Sequence, residues 1–356
     1  MEVKKHHPVF NALLLALVLY GLFVGKHLLI PLVMAIVVWY LINAIGAQIG
    51  RIEISGKHFP KWLRTTLAVL VVFSFFWFVG RLVIANLEEF EEVAPEYNER
   101  IRFLSAEISQ RFDVPTFEEI SREVDLRKIA GGLLNSSFGF LSALLVVIFY
   151  VVFLMLEQNI FGKKLDLIFT HRKNKVQFFQ IMNRIDHSMK TYLSVKTLMS
   201  LLVAVCTYII IISFGVDFAI LWAFFTFLLN YIPFVGSFIA ILLPSLLSLL
   251  QFGDPVISLV IFLILNGVQV IVGNYLEPRL VGKSLNLSPL VVVLSLAFWG
   301  SLWGIAGMFL CVPITVAVMI ILSQFPSTRT AAILLSAGND PAARVKKSSS
   351  DDSKSQ

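Results

Sequence analysis

Long apolar runs separated by short polar stretches dominate the chain. A helix needs about 20 apolar residues to cross the hydrocarbon core of a bilayer, and about 17 suffice when flanking residues adapt. By this measure the sequence predicts spans at 9–24, 28–45, 67–87, 133–156, 198–214, 218–232, 234–252, 256–276 and within 290–322. The pattern predicts an all-α fold: a polytopic transmembrane helical bundle of about eight spans, with broken or re-entrant helices in the C-terminal half.

Two of these runs need a further interpretation. The first two are separated only by Gly25, Lys26 and His27, without an Ala-x-Ala cleavage pattern, so we expect a helical hairpin and not a cleaved signal sequence. The last tract, 290–322, is too long for one crossing and contains Trp299-Gly300-Ser301. We expect a short helix turning into a longer one there, either as a hairpin or as a re-entrant element followed by a span.

Composition agrees with a membrane protein. Hydrophobic residues make up 57% of the 356 residues and charged residues 15%, with a mean hydropathy of +0.83, whereas soluble proteins carry about 25% charged residues. A soluble globular enzyme is therefore excluded. The net charge of +6 is typical of basic cytoplasmic loops and does not indicate nucleic-acid binding. Cys206 and Cys311 lie in apolar runs, which supports neither a disulfide framework nor a thiolate metal site.

The distribution of charge predicts orientation, because basic residues near spans stay in the cytoplasm. Residues 51–64 and 157–196 are basic and 88–132 is acidic, so we expect the first two inside, the third outside, and both termini in the cytoplasm. The predicted organisation is N-terminal transmembrane helices (1–87), an extracytoplasmic amphipathic helical segment (88–132), a transmembrane helix (133–156), a basic cytoplasmic helical segment (157–196), a transport core (197–323) and a disordered tail (324–356).

Two polar segments carry helical patterns. In the outer segment Ile101, Leu104, Ile108 and Phe112 recur at three- and four-residue steps, which predicts two short amphipathic helices punctuated by Pro95 and Pro115. This segment serves either as a helical cap or in gating and partner binding. A similar stripe on the cytoplasmic segment is typical of packing and continues towards the next span: Phe178, Met182, Ile185, Met189 and Tyr192.

Polar residues and helix breakers gather in the C-terminal half, at membrane depth, where unpaired polar groups are costly. The first place is 230–236, where Asn230, Pro233 and Gly236 predict a break that either lines a polar pathway or makes a plain turn. A later break is expected after Pro289, where Gly300 and Gly304 allow helices to approach closely or form part of a transporter site.

A polar stripe is expected on the helix that begins near residue 256. Asn266, Gln269, Gly273 and Glu277 follow at steps of three or four, with Asn274 three residues before Glu277. The stripe serves either helix-to-helix hydrogen bonding or a solute pathway. Glu277 either pairs with Arg279 or is the titrating residue of a coupled transporter.

Common catalytic motifs are absent from the sequence. There is no Gly-rich phosphate loop, His-Glu-x-x-His helix, CxxC pair or Gly-x-Ser-x-Gly elbow, and His6-His7 is interpreted as a solvated pair. We therefore expect neither an enzyme nor a protein with a metal or cofactor.

Three stretches carry a family resemblance: NYIPFVGSFIAILLP (230–244), NYLEPRLVGKSLNLSPLVVVLSLAFWG (274–300) and GIAGMFLCVPI (304–314). Together they resemble the autoinducer-2 exporter family of bacterial membrane proteins. The resemblance implies a homo-oligomeric permease of the bacterial cytoplasmic membrane. The matching motif residues are Asn230, Pro233, Gly236, Asn274, Glu277, Pro278, Arg279, Gly282 and Pro289, and the chain departs from the pattern at Ser237 and Ala306.

Three functions remain open at this point. The first is a secondary transporter that exports a small polar, autoinducer-2-like solute with ion coupling. The second is a sodium or lithium/proton antiporter that uses the same carboxylate. The third is a non-transporting scaffold in the lipid bilayer that recruits partners through 88–132. Substrate, direction, coupling ion and subunit number do not follow from the sequence.

Overall fold

The computed structural model describes residues 8–51, 53–54, 57–112, 125–168, 172–281 and 286–338. Helices account for nearly all of them: α1 (Pro8–Val24), α2 (Lys26–Ile49), α3 (Lys61–Phe112), α4 (Leu126–Ile168), α5 (Arg172–Ser213), α6 (Ala219–Leu229), α7 (Val235–Phe252), α8 (Pro255–Ile271), a π-helical turn (Val272–Leu276), α9 (Glu277–Val281), α10 (Pro289–Leu322) and α11 (Arg329–Leu335). Strands β1 (Glu53–Ile54) and β2 (Lys57–His58) pair antiparallel between α2 and α3.

Six helices in the described residues are long and apolar enough to cross a membrane: Lys26–Ile49, Lys61–Ala106, Lys175–Ser213, Val235–Phe252, Pro255–Leu280 and Pro289–Leu322. Two shorter apolar helices, Ser142–Gln158 and Ala219–Leu229, accompany them. Their outward surfaces carry many exposed large apolar side chains, which is what a lipid environment accommodates. The predicted polytopic helical bundle is confirmed.

The chain forms two compact units. One contains Met1–Tyr40, Leu144–Lys190 and Lys283–Gln356, and the other contains Leu41–Ala143 and Thr191–Gly282. The second unit, which we call the α5–α9 unit, has a core of buried apolar residues from α3 and α5 to α8, among them Leu87, Ile211, Leu221, Ile241 and Ile261. This core holds the helices that carry most of the predicted site residues.

The N-terminal hairpin remains a prediction, and the structure separates its two helices, α1 and α2, at Gly25. Backbone hydrogen bonds from Gly25 N to Gly21 O and from Leu29 N to Gly25 O close α1 and open α2 at this glycine. The carbonyl of Leu22 accepts a hydrogen bond of 3.0 Å from the indole N–H of Trp303.

The prediction that Pro95 marks the boundary of a short amphipathic helix is wrong. Pro95 lies inside α3, which runs unbroken through the predicted span and into the predicted outer segment. Proline only removes one backbone donor, and the packing of Leu87, Phe90, Val93 and Tyr97 against the core keeps the helix continuous across it. Pro115 lies outside the described residues.

Helix α10 folds back on itself, as both the hairpin and the re-entrant interpretation predict. The indole N–H of Trp299 donates to the Thr315 hydroxyl at 3.1 Å, although sixteen residues of straight helix would separate them by about 24 Å. The reversal is at Gly304, with φ 62° and ψ −141°, and not at the predicted Trp299-Gly300-Ser301. Gly304 occupies a backbone conformation that side chains disfavour, which explains why the chain reverses there.

Candidate functional site

Helices α6 and α7 form a short hairpin inside the α5–α9 unit. The chain reverses at 230–234, where Phe234 has φ 60°, and α7 then starts at Val235. A side chain at Gly236 would lie 1.8 Å from the Leu229 carbonyl oxygen, so only glycine permits this tight reversal. Helix α6 has 11 residues, about 16 Å, which is too short to cross a hydrocarbon core of about 30 Å. The predicted spans 218–232 and 234–252 are therefore the two arms of one hairpin.

The tip of this hairpin carries a buried amide. Asn230 donates through Nδ2 to the Ser200 hydroxyl on α5 at 3.1 Å and accepts at Oδ1 from Gln269 Nε2 on α8 at 3.2 Å. Ser200 is fully buried and Asn230 is 6% exposed. One side chain thus joins three helices through hydrogen bonds that are side chain to side chain.

A hydroxyl pair lies next to the amide. The Thr197 hydroxyl donates to the Leu193 carbonyl at 2.6 Å and lies 2.7 Å from the Tyr231 hydroxyl. Because the single Thr197 proton is already used, Tyr231 is the donor in this second bond. The hairpin tip is therefore joined to α5 at two positions about one helical turn apart, Thr197 and Ser200.

An ion pair lies beside these hydroxyls. The ammonium nitrogen of Lys196 lies 2.9 and 3.0 Å from the two carboxylate oxygens of Glu277. The side chains are only 9% and 21% exposed, respectively. Two charges of low exposure are tolerated because each satisfies the other, and removal of one would leave the other uncompensated. We call Lys196, Thr197, Ser200, Asn230, Tyr231, Gln269 and Glu277 the polar cluster.

The π-helical turn before Glu277 aligns the cluster. An α-helix turns about 100° per residue, so eight residues would leave Gln269 and Glu277 pointing about 80° apart. The turn Val272–Leu276 accommodates about one extra residue and shifts the later positions back by about 100°. The two side chains then point about 20° apart, towards the same neighbours on α5 and α6.

Two polar members of the predicted stripe lie in the polar cluster. Gln269 and Glu277 belong to the polar cluster, whereas Asn266, Gly273 and Asn274 are exposed. The alternative in which Glu277 pairs with Arg279 is corrected: the partner is Lys196, while Arg279 and Pro278 are exposed.

The other predicted residues lie elsewhere. Pro233 is in the hairpin reversal, where its carbonyl accepts from Val235 N. Gly282 lies outside the described residues. Three residues belong to the other unit: Pro289 is the first residue of α10, Gly300 faces Met308, and Gly304 makes the reversal.

Sequence reasoning missed Lys196, Thr197 and Ser200. Lys196 was counted only among the basic residues of a cytoplasmic segment, yet it follows Met189 and Tyr192 at helical steps, and both are buried. A lysine that continues a buried apolar stripe is an unusual position for a solvated charge. The position of this lysine at the end of an apolar stripe is visible in the sequence itself.

The polar cluster offers hydrogen bonds and a titratable ion pair, without the arrangement of a metal centre. Among the residues that the structure describes, no group of three or more His, Cys, Asp or Glu side chains could hold a metal ion. The donors and acceptors lie at the broken end of a helix between long apolar helices, which is the arrangement found at binding sites of membrane transporters. The fold and the site together define a multi-pass helical membrane protein of the transporter class.

Comparison with known proteins assigns the chain to one family within this class. The family model described as AI-2E family transporter matches residues 12–327, and the chain belongs to this family. The chain is 29% identical over 346 residues to a putative transport protein of Haemophilus influenzae, covering 94% of this chain and 97% of the relative. It is 28% identical over 331 residues to a putative transport protein of Borreliella burgdorferi, covering 92% and 90%.

The AI-2 transport protein TqsA of Escherichia coli is similar along its length as well. The identity is 27% over 332 residues, which cover 91% of this chain and 93% of TqsA. The protein is therefore a membrane transport protein, and the resemblance inferred from the C-terminal motifs is confirmed.

Proposed function

We propose that this protein is a secondary transporter that exports a small polar, autoinducer-2-like solute, with transport coupled to an ion at Glu277. The observation that carries the proposal is the ion pair of Lys196 and Glu277 beside the buried Ser200–Asn230–Gln269 hydrogen bonds. The name of the relative TqsA supports the choice of solute.

The hydrogen bonds of Asn230 suit solute exchange. Its amide bonds to Ser200 and Gln269, and a hydroxyl-rich solute offers equivalent donors and acceptors. A solute that takes over these bonds leaves no buried amide unpaired. Exchange of hydrogen-bond partners therefore costs less free energy than separation of the helices, which would leave the amides without partners. The hairpin tip then moves relative to α5 and α8 as its bonds pass to the solute.

The ion pair supplies coupling in this proposal. Protonation of Glu277, or a cation at its carboxylate, weakens its attraction to Lys196 and releases the link between α5 and α9. We place the protein in the bacterial inner membrane with both termini in the cytoplasm, and the Glu277 end of the α5–α9 unit on the cytoplasmic side. The distribution of basic residues supports this orientation.

The test is transport by purified protein in vesicles, with labelled autoinducer-2 and internal pH followed together. We expect the wild type to move solute and Glu277→Gln to lose ion-coupled movement. Glu157→Gln is the matched control, because Glu157 pairs with Lys164 at 2.5 Å but is exposed. Equal coupling in Glu277→Gln and wild type would contradict the role of Glu277, and no solute flux in wild type would contradict the exporter.

A sodium or lithium/proton antiporter is the second candidate. The observation that favours it is that a carboxylate paired with a lysine can exchange a proton for a cation without any organic solute. A pH-sensitive dye inside the vesicles would then report proton movement on addition of sodium or lithium, in the absence of autoinducer-2. Proton movement that appears only with solute present would contradict this candidate.

A further inference from the structure

Helix α6 carries two buried polar atoms that have no hydrogen-bond partner. They are the indole nitrogen Nε1 of Trp222 and the hydroxyl oxygen Oγ1 of Thr226. Thr226 is only 2% exposed. Buried polar groups in folded proteins are nearly always paired, so two orphans on one short helix require an explanation.

The two atoms lie on the side of α6 that leads to the polar cluster. Trp222, Thr226 and Asn230 follow at four-residue steps, so each lies about 6 Å along the helix from the next and is turned from it by about 40°. Asn230 is the residue that joins the hairpin tip to Ser200 and Gln269. The unpaired atoms therefore continue the polar cluster along α6, away from its tip.

The orphan hydroxyl is not explained by ordinary helix chemistry. Hydroxyl side chains in apolar helices commonly bond to the carbonyl four residues earlier. Thr197 does so to Leu193 O, Ser213 to Ile209 O and Ser245 to Ile241 O. Thr226 does not, and its hydroxyl is left without a hydrogen-bond partner in the structure.

The surroundings of Trp222 are apolar. Its ring packs against the core that contains Ile211, Leu221 and Ile241, with the Phe225 ring centroid at 6.2 Å. A few polar groups in apolar surroundings are typical of small-molecule sites. The indole N–H can only donate a hydrogen bond, so it binds an oxygen acceptor and does not bind a cation.

We propose that Trp222 and Thr226 form a second solute contact, specific for a small hydroxyl-bearing or carbonyl-bearing molecule. This inference rests on the proposed export function and extends its binding site along α6. Trp222 Nε1 donates to a solute oxygen, and the Thr226 hydroxyl both donates to and accepts from a solute hydroxyl. The contact favours an organic solute over a bare cation.

The test compares Thr226→Val and Trp222→Phe with wild type in reconstituted vesicles, using labelled autoinducer-2 as the probe. Each variant removes one hydrogen-bonding group and keeps most of the apolar volume. We expect KM to rise about tenfold in each variant, which corresponds to the loss of one hydrogen bond to the solute. The solute-free melting temperature of Thr226→Val should be unchanged or higher, because valine leaves no orphan hydroxyl.

Ser248→Ala is the matched control, because Ser248 is fully buried in the same unit but its hydroxyl already bonds to the Ser245 carbonyl at 2.7 Å. We expect it to lower the melting temperature and leave KM unchanged. Unchanged KM in both α6 variants would overturn the second contact while leaving export intact. A loss of melting temperature in Thr226→Val without a change in KM would make the hydroxyl structural.

Binding is measured separately, as the solute-induced rise in melting temperature. If wild-type protein binds autoinducer-2 without transporting it, the proposed export function is overturned. The second contact is then tested by whether Thr226→Val weakens this binding. If wild-type protein neither binds nor moves the solute, both proposals are overturned.

Discussion

Two hydrogen-bonded regions in the α5–α9 unit hold the same hairpin in different ways. The polar cluster joins the hairpin tip to α5 and α8 through side chains alone, with Asn230 at its centre. The other region, which we call the Asp217 network, consists of Tyr97, Arg100, Asp217 and Gln251 and lies at the two ends of the hairpin arms. There the Asp217 carboxylate accepts from Tyr97 at 2.5 Å and from Gln251 at 3.1 Å.

Backbone groups complete the Asp217 network. The backbone N–H of Asp217 donates to the Gln251 side chain at 2.9 Å, and that side chain donates to the Gly215 carbonyl at 2.9 Å. Arg100 donates to the carbonyls of Leu250 and Gln251, the last turn of α7, where helix carbonyls lack internal partners and attract cations.

This difference separates a region that anchors the hairpin from a region that can exchange hydrogen-bond partners. Backbone carbonyls at a helix end need a partner whatever state the protein is in, so the Asp217 network anchors the arms of the hairpin to α3. Side-chain amides, hydroxyls and an ion pair can exchange partners with a solute or an ion. We therefore expect changes in the polar cluster to affect transport, and changes in the Asp217 network to affect stability first.

The largest effect is expected from Lys196→Met. The Glu277 carboxylate would lose its partner, and the free energy of unfolding should fall by about 3 kcal/mol, within the range found when one member of a buried pair is removed. Thermal unfolding in detergent measures the loss, and vesicle transport should be abolished. The double variant Lys196→Met, Glu277→Leu should regain stability without regaining transport; recovered transport would show that the pair is only structural.

Gly236→Ala tests the hairpin tip that presents Asn230. Its added methyl carbon would lie 1.8 Å from the Leu229 carbonyl oxygen and 2.9 Å from Ile232 Cβ, so the reversal must open. We expect a loss of about 1–3 kcal/mol in stability together with a loss of transport. Gly267→Ala is the matched control, since nothing lies within 4 Å of its added carbon and alanine favours the helix. Equal stability and transport in the two variants would contradict the close approach of Gly236 to Leu229.

Tyr97→Phe separates the two regions most sharply. It removes the hydroxyl that donates to Asp217, a hydrogen bond to a charged group, and should lower stability by about 1–2 kcal/mol. The KM for solute should stay at the wild-type value, because the polar cluster is untouched. Denaturant titration and vesicle transport measure the two effects. An altered KM with unchanged stability would reverse the roles assigned to the two regions.

The smallest effect is expected at the start of α4. The backbone N–H of Lys128 donates to the Asp125 carboxylate at 3.2 Å, and this bond lowers the pKa of Asp125 below its ordinary value. A lowered pKa in the folded state means that the stabilisation is present above the unfolded-state pKa and is lost as pH falls through the folded-state pKa. Protection of the first-turn amides of α4, relative to the intrinsic exchange rate at each pH, should therefore fall at acid pH, and Asp125→Ala should remove this dependence.

Local pattern predicted the helices well and their connections less well. The apolar runs that predicted α1, α2 and α8 end within a few residues of the observed helices. The predicted helix boundary at Pro95 failed, because continuity of the helix there depends on whether a better-packed alternative exists. Such a competition is decided by contacts between distant residues, which composition and periodicity do not contain.

The same limit applies to the site. Asn230 and Gln269 stand out in the sequence because polar residues are rare in apolar runs, and both are in the polar cluster. Lys196 was not recognised because its partner Glu277 is 81 residues away along the chain. The register that brings Gln269 and Glu277 to one side depends on a π-helical turn, which has no simple sequence signature.

By itself the sequence determined the class of protein, since long apolar runs can satisfy their backbone groups in lipid only as helices, and it determined the family through its C-terminal motifs. Tertiary structure alone decided which polar residues meet. The reason is physical: a hydrogen bond or an ion pair requires its two atoms within about 3 Å of each other. Lys196, Asn230 and Glu277 reach that distance from their partners only after α5, the α6–α7 hairpin and α8 have packed together.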